Sequence, residues 1–328
     1  METRILGKTG LKVSVLGFGC GAVGGLMVKG AAAEQELAVA RAIEFGINYF
    51  DTAPMYGNGE SERNLGRVLK ALNRPGVHVG TKVWLQGSDD IAQSIAQSMD
   101  ASLRRLRQDS VDLYQLHNPI SETRSDAAID PKTVCEQVLP AFERLRDQGK
   151  ARFFGFTALG DTPGIQSVLN VFETAQVSYN LLNPSAGMAL PARYPAQDYG
   201  NLIARALASG VGTIGIRVLA GGALSGVETR HPLGMERVDP IGSASSYAGD
   251  VARAVRFGEV LKRGFAQSLV ETSIRYVLSN SELSTTLIGL STMEQLDHAA
   301  KSALKGPLPV EALKMISIIQ QSFLGETR

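Results

Sequence analysis

The chain has few cysteines, no block of like charge and no long apolar run, and each shortage removes a class of function. Its 328 residues include two cysteines, Cys20 and Cys135, far apart and without a CxxC spacing or neighbouring histidines. No zinc or other metal site is expected from them, and reduced thiols in a cytoplasmic protein are. Lysine and arginine (33) nearly balance aspartate and glutamate (32) for a formal charge of +1. With no basic or acidic block, nothing would draw nucleic acid or an anionic membrane surface. No apolar run reaches the roughly 18 residues of a membrane span, and the N-terminus turns polar again at Gly7-Lys8-Thr9, unlike a signal peptide. What remains is an ordinary globular composition, 44% hydrophobic with 35 glycines, and enough chain for one large core.

The organising signal is a repeated unit of helix, glycine and strand. Residues 34–45 place Leu37, Ala40 and Ile43 on one face and Glu36, Arg41 and Glu44 on another; Gly46 follows at a C-cap position, then Ile47 to Asp51 as a strand. The same order recurs at Gly76 before Val77–Lys82, at Gly149 before Arg152–Phe156, and at Gly210 before Gly212–Ile216. Strands are expected near Val15, Phe50, Val79, Leu113, Phe154, Val177, Ile214 and Leu287, with helices over 61–72, 89–107, 132–148, 163–172 and 198–209. This alternation predicts right-handed βαβ units, and eight of them predict an α/β fold closed as a (β/α)8 TIM barrel over a single domain, 1–328. Residues 4–14 read as an N-terminal β-hairpin capping the barrel floor, residues 307–324 as an extra C-terminal helix, and 219–249, rich in Gly, Pro and Ser, as a functional loop.

One motif points elsewhere. Gly19-Cys20-Gly21-Ala22-Val23-Gly24 matches the G-x-G-x-x-G of doubly wound dinucleotide-binding domains, and Asp51 lies where a ribose-binding acid would. The third glycine should open a helix, but residues 24–30 have poor helix character. The repeat then runs on evenly with no separate substrate domain, and no Tyr-x-x-x-Lys pair is present. The barrel is the better reading.

In a barrel, residues at the C-terminal ends of neighbouring strands converge on one face. Asp51, Lys82 and His117 end the second, third and fourth strands, and Tyr56 follows Asp51 on the next loop. Carbonyl reduction needs hydride on one side and a proton on the other. Tyr56 can give that proton, with Lys82 beside it to favour phenolate, Asp51 to hold Lys82, and His117 to align the carbonyl oxygen. The histidines 78, 231 and 298 and the strand-end acids elsewhere read as structural.

These residues resemble the aldo-keto reductase family, nearly end to end. Leu16 to Gly21 is similar to its first strand and turn, and Asp51-Thr52-Ala53-Pro54-Met55-Tyr56-Gly57 with Glu60-Ser61-Glu62 to its most specific signature. Thr81-Lys82 and Leu116-His117-Asn118-Pro119 complete a tetrad of Asp51, Tyr56, Lys82 and His117. The resemblance implies cofactor contacts from Cys20, Gly21 and Asp51, and from Thr157 and Gln176, which match a Ser-Asn pair and a Gln that hold the nicotinamide carboxamide. Here the pair reads Thr157-Ala158, so the amide is missing. Arg217 matches an aromatic that stacks on the nicotinamide, and its planar guanidinium can stack too. Leu219, Ala220 and Gly221 are similar to the pyrophosphate loop; Gly289, Ser291 and Gln295 are similar to the adenosine-phosphate segment. No Lys or Arg lies between Leu290 and Gln295, and His298-Ala299 stands where Glu-Asn is common.

The implied activity is NAD(P)H-dependent reduction of an aldehyde or ketone, with NADPH inherited from the family and NADH possible. Two alternatives are a sugar or alcohol dehydrogenase working oxidatively and a cofactor-binding regulatory subunit like potassium channel β-subunits. The substrate is expected to be a small carbonyl or sugar-like molecule. Loops 24–33, 118–131 and 222–250, with Met27, Arg124, Arg230, His231 and Tyr247, are expected to line its pocket, the arginines solvated.

Overall fold

Strands enclosed by helices outside and by one another inside must be apolar nearly throughout. The eight central strands are instead buried nearly throughout, polar residues included, in the computed structural model, which describes residues 1–87, 90–123 and 127–326. A two-stranded antiparallel hairpin, β1 (Thr3–Ile5) and β2 (Lys12–Ser14), comes first. The parallel strands follow: β3 (Leu16–Gly19), β4 (Tyr49–Asp51), β5 (His78–Val83), β6 (Val111–Leu116), β7 (Ala151–Thr157), β8 (Thr174–Ser178), β9 (Gly212–Ile216) and β10 (Thr285–Gly289). They pair in chain order and β10 closes on β3, a (β/α)8 barrel. Closure excludes the doubly wound alternative.

The glycine punctuation does what backbone sterics require. Gly46, Gly76, Gly149 and Gly210 all have positive φ, between 68° and 84°, so the chain reverses into the next strand where a side chain would be strained. Side-chain oxygens cap helix N-termini at Asp90, Asp130, Asp161, Ser246, Ser268 and Thr292, each accepting from a backbone N–H inside the first turn.

Element limits depart from expectation where local chemistry intervenes. The 132–148 segment contains a π turn, Val134–Val138, ahead of the helix Leu139–Asp147. Pro140 lacks the N–H that a regular helix needs there, and the widened turn absorbs the loss. The 198–209 helix shortens to Leu202–Ala208 because Gly200 and Asn201 are left-handed, and the 163–172 helix breaks after Ser167 into a 3-10 turn, Leu169–Val171. Met293–Leu304 follows β10, and Val310–Gln321 is the extra C-terminal helix. Among the described residues no helix is long and apolar enough to cross a membrane.

The barrel interior is layered. Leu6, Leu11 and Val13 of the hairpin pack with Tyr49, Leu113, Ile214 and Leu287 as an apolar floor. A larger cluster fills the space between strands and helices. Polar side chains therefore concentrate at the opposite, C-terminal end. The first crossover at that end corrects one expectation. The G-x-G-x-x-G stretch does open a helix, but of one turn, Leu26–Lys29, after Gly25 at φ 84°, and the long helix Ala32–Glu44 follows. Gly24 is required for packing: a Cβ there would lie 2.3 Å from the Leu290 backbone nitrogen and 2.5 Å from its oxygen. Gly24→Ala should therefore force β10 and the first crossover apart and destabilise the protein by about 1–3 kcal/mol. Urea unfolding of the two proteins checks this.

Candidate active site

Tyr49 joins the apolar floor to the polar mouth. Its ring packs in the floor cluster and its hydroxyl donates to Asp51 Oδ2 at 3.1 Å. Gly80 makes this possible, since a Cβ there would stand 2.6 Å from the Tyr49 oxygen. Asp51 ends β4 and is buried; Oδ2 also accepts from Gln115 Nε2 of β6 (3.1 Å) and Gln176 Nε2 of β8 (2.8 Å). The other oxygen, Oδ1, faces Lys82 Nζ in a short ion pair. Four donors from four strands thus hold one carboxylate.

Lys82 is fully buried on β5. Its ammonium donates to Asp51 Oδ1, to the Thr52 carbonyl at 2.9 Å and to the Tyr56 hydroxyl at 3.4 Å. An isolated ammonium in such a place would lose its proton. Burial does press the Lys82 pKa down, but Asp51 and Tyr56 beside it more than offset this, and the pKa is raised. The neighbouring chain is tied down independently. Thr81 Oγ1 donates to Glu62 Oε1 at 2.6 Å, and Arg105 Nε to Glu62 Oε2 at 2.6 Å. Ser61 Oγ bonds the Cys20 carbonyl (2.9 Å) and lies 2.8 Å from Thr52 Oγ1.

Tyr56 sits on the loop after β4. Gly21 faces it, a Cβ there falling 3.8 Å from the phenol ring. Burial raises the Tyr56 pKa, and the opposing pull of Lys82 does not cancel it. Lys82 does favour phenolate, as expected from the sequence, but desolvation outweighs it and Tyr56 is held as a phenol. His117 follows β6, edge-on to Tyr56 with ring centroids 5.9 Å apart and edge-on to Trp84 at 6.0 Å. Burial first, then the positive charges of Lys82 and Arg217, lower its pKa to about 3. His117 is therefore neutral at physiological pH, and its buried Nδ1 has no hydrogen-bond partner among the described residues. The four expected catalytic side chains meet at one place.

Beside them a cavity of about 410 Å³ runs from Arg217 to His298. Of the expected cofactor residues, Arg217, Leu219, Gly221, Gly289, Ser291 and Gln295 line it. Ala220 is buried behind Leu219 at φ 46°, and Thr157 and Gln176 lie at the barrel mouth, 3.4 Å apart. Cys20 is packed in the core and contributes its backbone, N–H to the Asp51 carbonyl at 2.9 Å. Met27 is also a core residue and lines no pocket, while Arg124 lies outside the described residues.

The cavity has a roof. Residues 227–246 cross it, and Arg230 donates to the carbonyls of Gly221 (2.5 Å), Met235 (2.6 Å) and Val23 (3.3 Å) and to the Tyr247 hydroxyl (3.2 Å). It is engaged rather than solvated, contrary to expectation. The far end of the strap wraps a buried carboxylate: Asp250 accepts from the backbone N–H groups of Ile241, Gly242, Ser243 and Ala244 at 2.8–3.1 Å. Sequence reasoning missed Tyr49, Gln115, Trp84, Asp250 and the role of Arg230. Two-residue alternation did place Tyr49 on the Asp51 face of β4; nothing in the sequence announced the other four.

The cavity lining holds two arginines and no acid, and glycines 24, 221, 222, 234 and 289 stand along it. Residues 15–321 match the model of the aldo/keto reductase family. The chain is 32% identical to L-galactose dehydrogenase of Arabidopsis thaliana, over 91% of this chain and 86% of that protein. It is 26% identical to a probable voltage-gated potassium channel subunit beta of the same plant, over 98% of this chain and 97% of that protein. An aldo-keto reductase from Bacillus halodurans, in its holo form, superposes with a TM-score of 0.72 at 24% identity, over 99% of this chain and 98% of that one, a likeness of fold. On the match over residues 15–321, and with the barrel it accompanies, the chain belongs to the aldo/keto reductase family.

Proposed function

We propose that this protein reduces an aldehyde or ketone to an alcohol at Asp51, Tyr56, Lys82 and His117. One observation carries the reading: Lys82 Nζ touches both Asp51 and Tyr56 next to a neutral His117, and Arg217, whose charge is felt at His117, lines the cavity beside them. Arg217, Leu219, Gly221, Gly289, Ser291 and Gln295, with Thr157 and Gln176, would hold a reduced nicotinamide cofactor, which when bound would supply the hydride. The carbonyl carbon gains a C–H bond and the C=O π pair moves to oxygen. Tyr56 gives its proton to that oxygen and becomes phenolate, stabilised by Lys82. His117, uncharged, donates a hydrogen bond that orients the carbonyl. Asp51 holds Lys82 charged, and its three further donors keep the carboxylate in place.

The adenosine end of the cavity bears on which nicotinamide is used. It presents Ser291, Gln295 and His298, and His298 Nε2 lies 2.9 Å from Ser268 Oγ. The arginines lining the cavity, 217 and 230, sit at its other parts, and Arg41 is paired with Asp297 at 3.1 Å. Among the described residues lining the cavity at this end none is Lys or Arg, which favours NADH over the NADPH inherited from the family; Lys301 and Lys305 lie beyond His298. The likeness to L-galactose dehydrogenase supports a second reading, the same chemistry run as sugar oxidation. A subunit without turnover is disfavoured by Lys82 bridging Asp51 and Tyr56 beside His117.

Tyr56→Phe should lower carbonyl reduction by at least ~10²-fold while cofactor affinity stays within about twofold, measured by steady-state rates and by quenching of protein fluorescence. NADH should bind at least as tightly as NADPH in a paired titration by the same fluorescence signal. The pH profiles follow from the two shifts. A phenol with a raised pKa keeps its proton at neutral pH and loses it only above about 10. Reduction should therefore be flat from pH 5 to 9, without the inflection near 6.5 of an ordinary histidine, because His117 gains its proton only near pH 3. Oxidation needs phenolate and should rise about tenfold per pH unit across that range. Initial rates in both directions at constant ionic strength check this.

A further inference from the structure

The charges at the barrel mouth do not cancel. Asp51 and Lys82 neutralise each other, and His117 is uncharged. Arg217 remains. It follows β9, across the mouth from His117 at the end of β6, is half-buried, and lines the cavity. Its guanidinium makes no hydrogen bond or ion pair among the described residues, and no Asp or Glu lines the cavity beside it. The residue is only half-buried and none of its nitrogens is sealed from solvent, so its N–H donors stay available to a ligand entering the cavity.

The backbone is arranged to keep it there. Arg217 has φ 59°, an uncommon conformation for a residue with a side chain. Its carbonyl is clamped by Asn180 Nδ2 at 3.1 Å and by the Ala220 N–H at 2.8 Å. The other arginine of the cavity, Arg230, is bound to the carbonyls of Val23, Gly221 and Met235 and is not free to take a ligand. Stacking on a nicotinamide would engage the flat face of the Arg217 guanidinium and leave its N–H edge pointing along the mouth. That edge can take a carboxylate through two parallel hydrogen bonds.

We propose that Arg217 recognises an anionic group on the substrate, so that the preferred carbonyl is an oxo acid and the product a hydroxy acid. The carboxylate lies on the guanidinium edge while the carbonyl oxygen lies between Tyr56 and His117. This rests on the carbonyl-reductase reading above and names its substrate class.

The test compares glyoxylate, pyruvate and 4-oxobutanoate with their methyl esters, using wild type, Arg217→Lys and Arg217→Asn, each saturated with cofactor. Asparagine is chosen because it tolerates the left-handed backbone. Taking the acid-to-ester ratio of kcat/KM within one protein cancels any loss of cofactor binding or of general activity. Wild type should favour at least one acid over its ester by about tenfold or more, through KM. The ratio should fall about tenfold or more in Arg217→Asn, be partly retained in Arg217→Lys, and decline with salt in wild type. Wild type reducing every ester as well as its acid would overturn the proposal, whatever the variants do. So would an unchanged ratio in Arg217→Asn, which would assign Arg217 to the cofactor alone. Absence of turnover on all six compounds and on neutral aldehydes would overturn the carbonyl-reductase reading itself, and this one with it.

Discussion

The site depends on one buried ion pair. Lys82 is fully enclosed, and an ammonium so placed keeps its charge only if a carboxylate stands against it. That carboxylate in turn must not move or be protonated. Asp51 Oδ2 therefore accepts from Tyr49, Gln115 and Gln176, on β4, β6 and β8, while Oδ1 takes Lys82 on β5. Closing the barrel is what brings these strands to a common centre. Opening it anywhere between β4 and β8 would remove a donor and leave the pair undercompensated, so the cost of burying charge is tied to the barrel being intact. Removing either partner alone leaves the other charge stranded, which is usually worse than having neither.

The pair also sets the acid strength of Tyr56. Two opposing effects meet on that phenol: burial disfavours phenolate, and Lys82 at 3.4 Å favours it. Because burial is the larger, the resting group is a phenol; because Lys82 is near, a phenolate formed there would not be stranded. Neither effect alone gives a usable acid. His117 completes the arrangement by staying neutral beside two cations, able to align an oxygen without competing to donate a proton to it.

Much of this was legible in the sequence because strand ends are. A period of helix, glycine and strand gave the barrel, and barrel geometry placed Asp51, Lys82 and His117 together from their positions at three successive strand ends. The four punctuating glycines were readable for the same reason: only a left-handed residue reverses the chain there, and all four have positive φ. What was not legible depends on long-range contact. Gln115 reads as one more polar residue in an apolar strand until β6 lies beside β4. Asp250 reads as a helix residue until the loop before it folds its N–H groups around the carboxylate. Arg230 reads as a solvated side chain until the strap crosses the cavity. The one-turn helix at Leu26–Lys29 was missed because Gly24 and Gly25 lower helix propensity, yet both are needed for close approach, Gly24 to Leu290 and Gly25 to Leu233.

The same close approach explains why the cavity has a roof at all. Gly24 and Gly25 let the first crossover lie against the end of β10 on one side and the strap on the other, and Gly221 and Gly222 admit Val238, Ile241 and Arg230 from above. At each contact backbone meets backbone or a single side chain meets a glycine, so few apolar side chains are buried and the strap is held mainly by directional bonds from Arg230 and to Asp250. Such a segment opens at lower free energy than the strands beneath it. The division separates strands that enclose the buried ion pair from a more loosely bonded strap over the cavity, and it follows from where the glycines are.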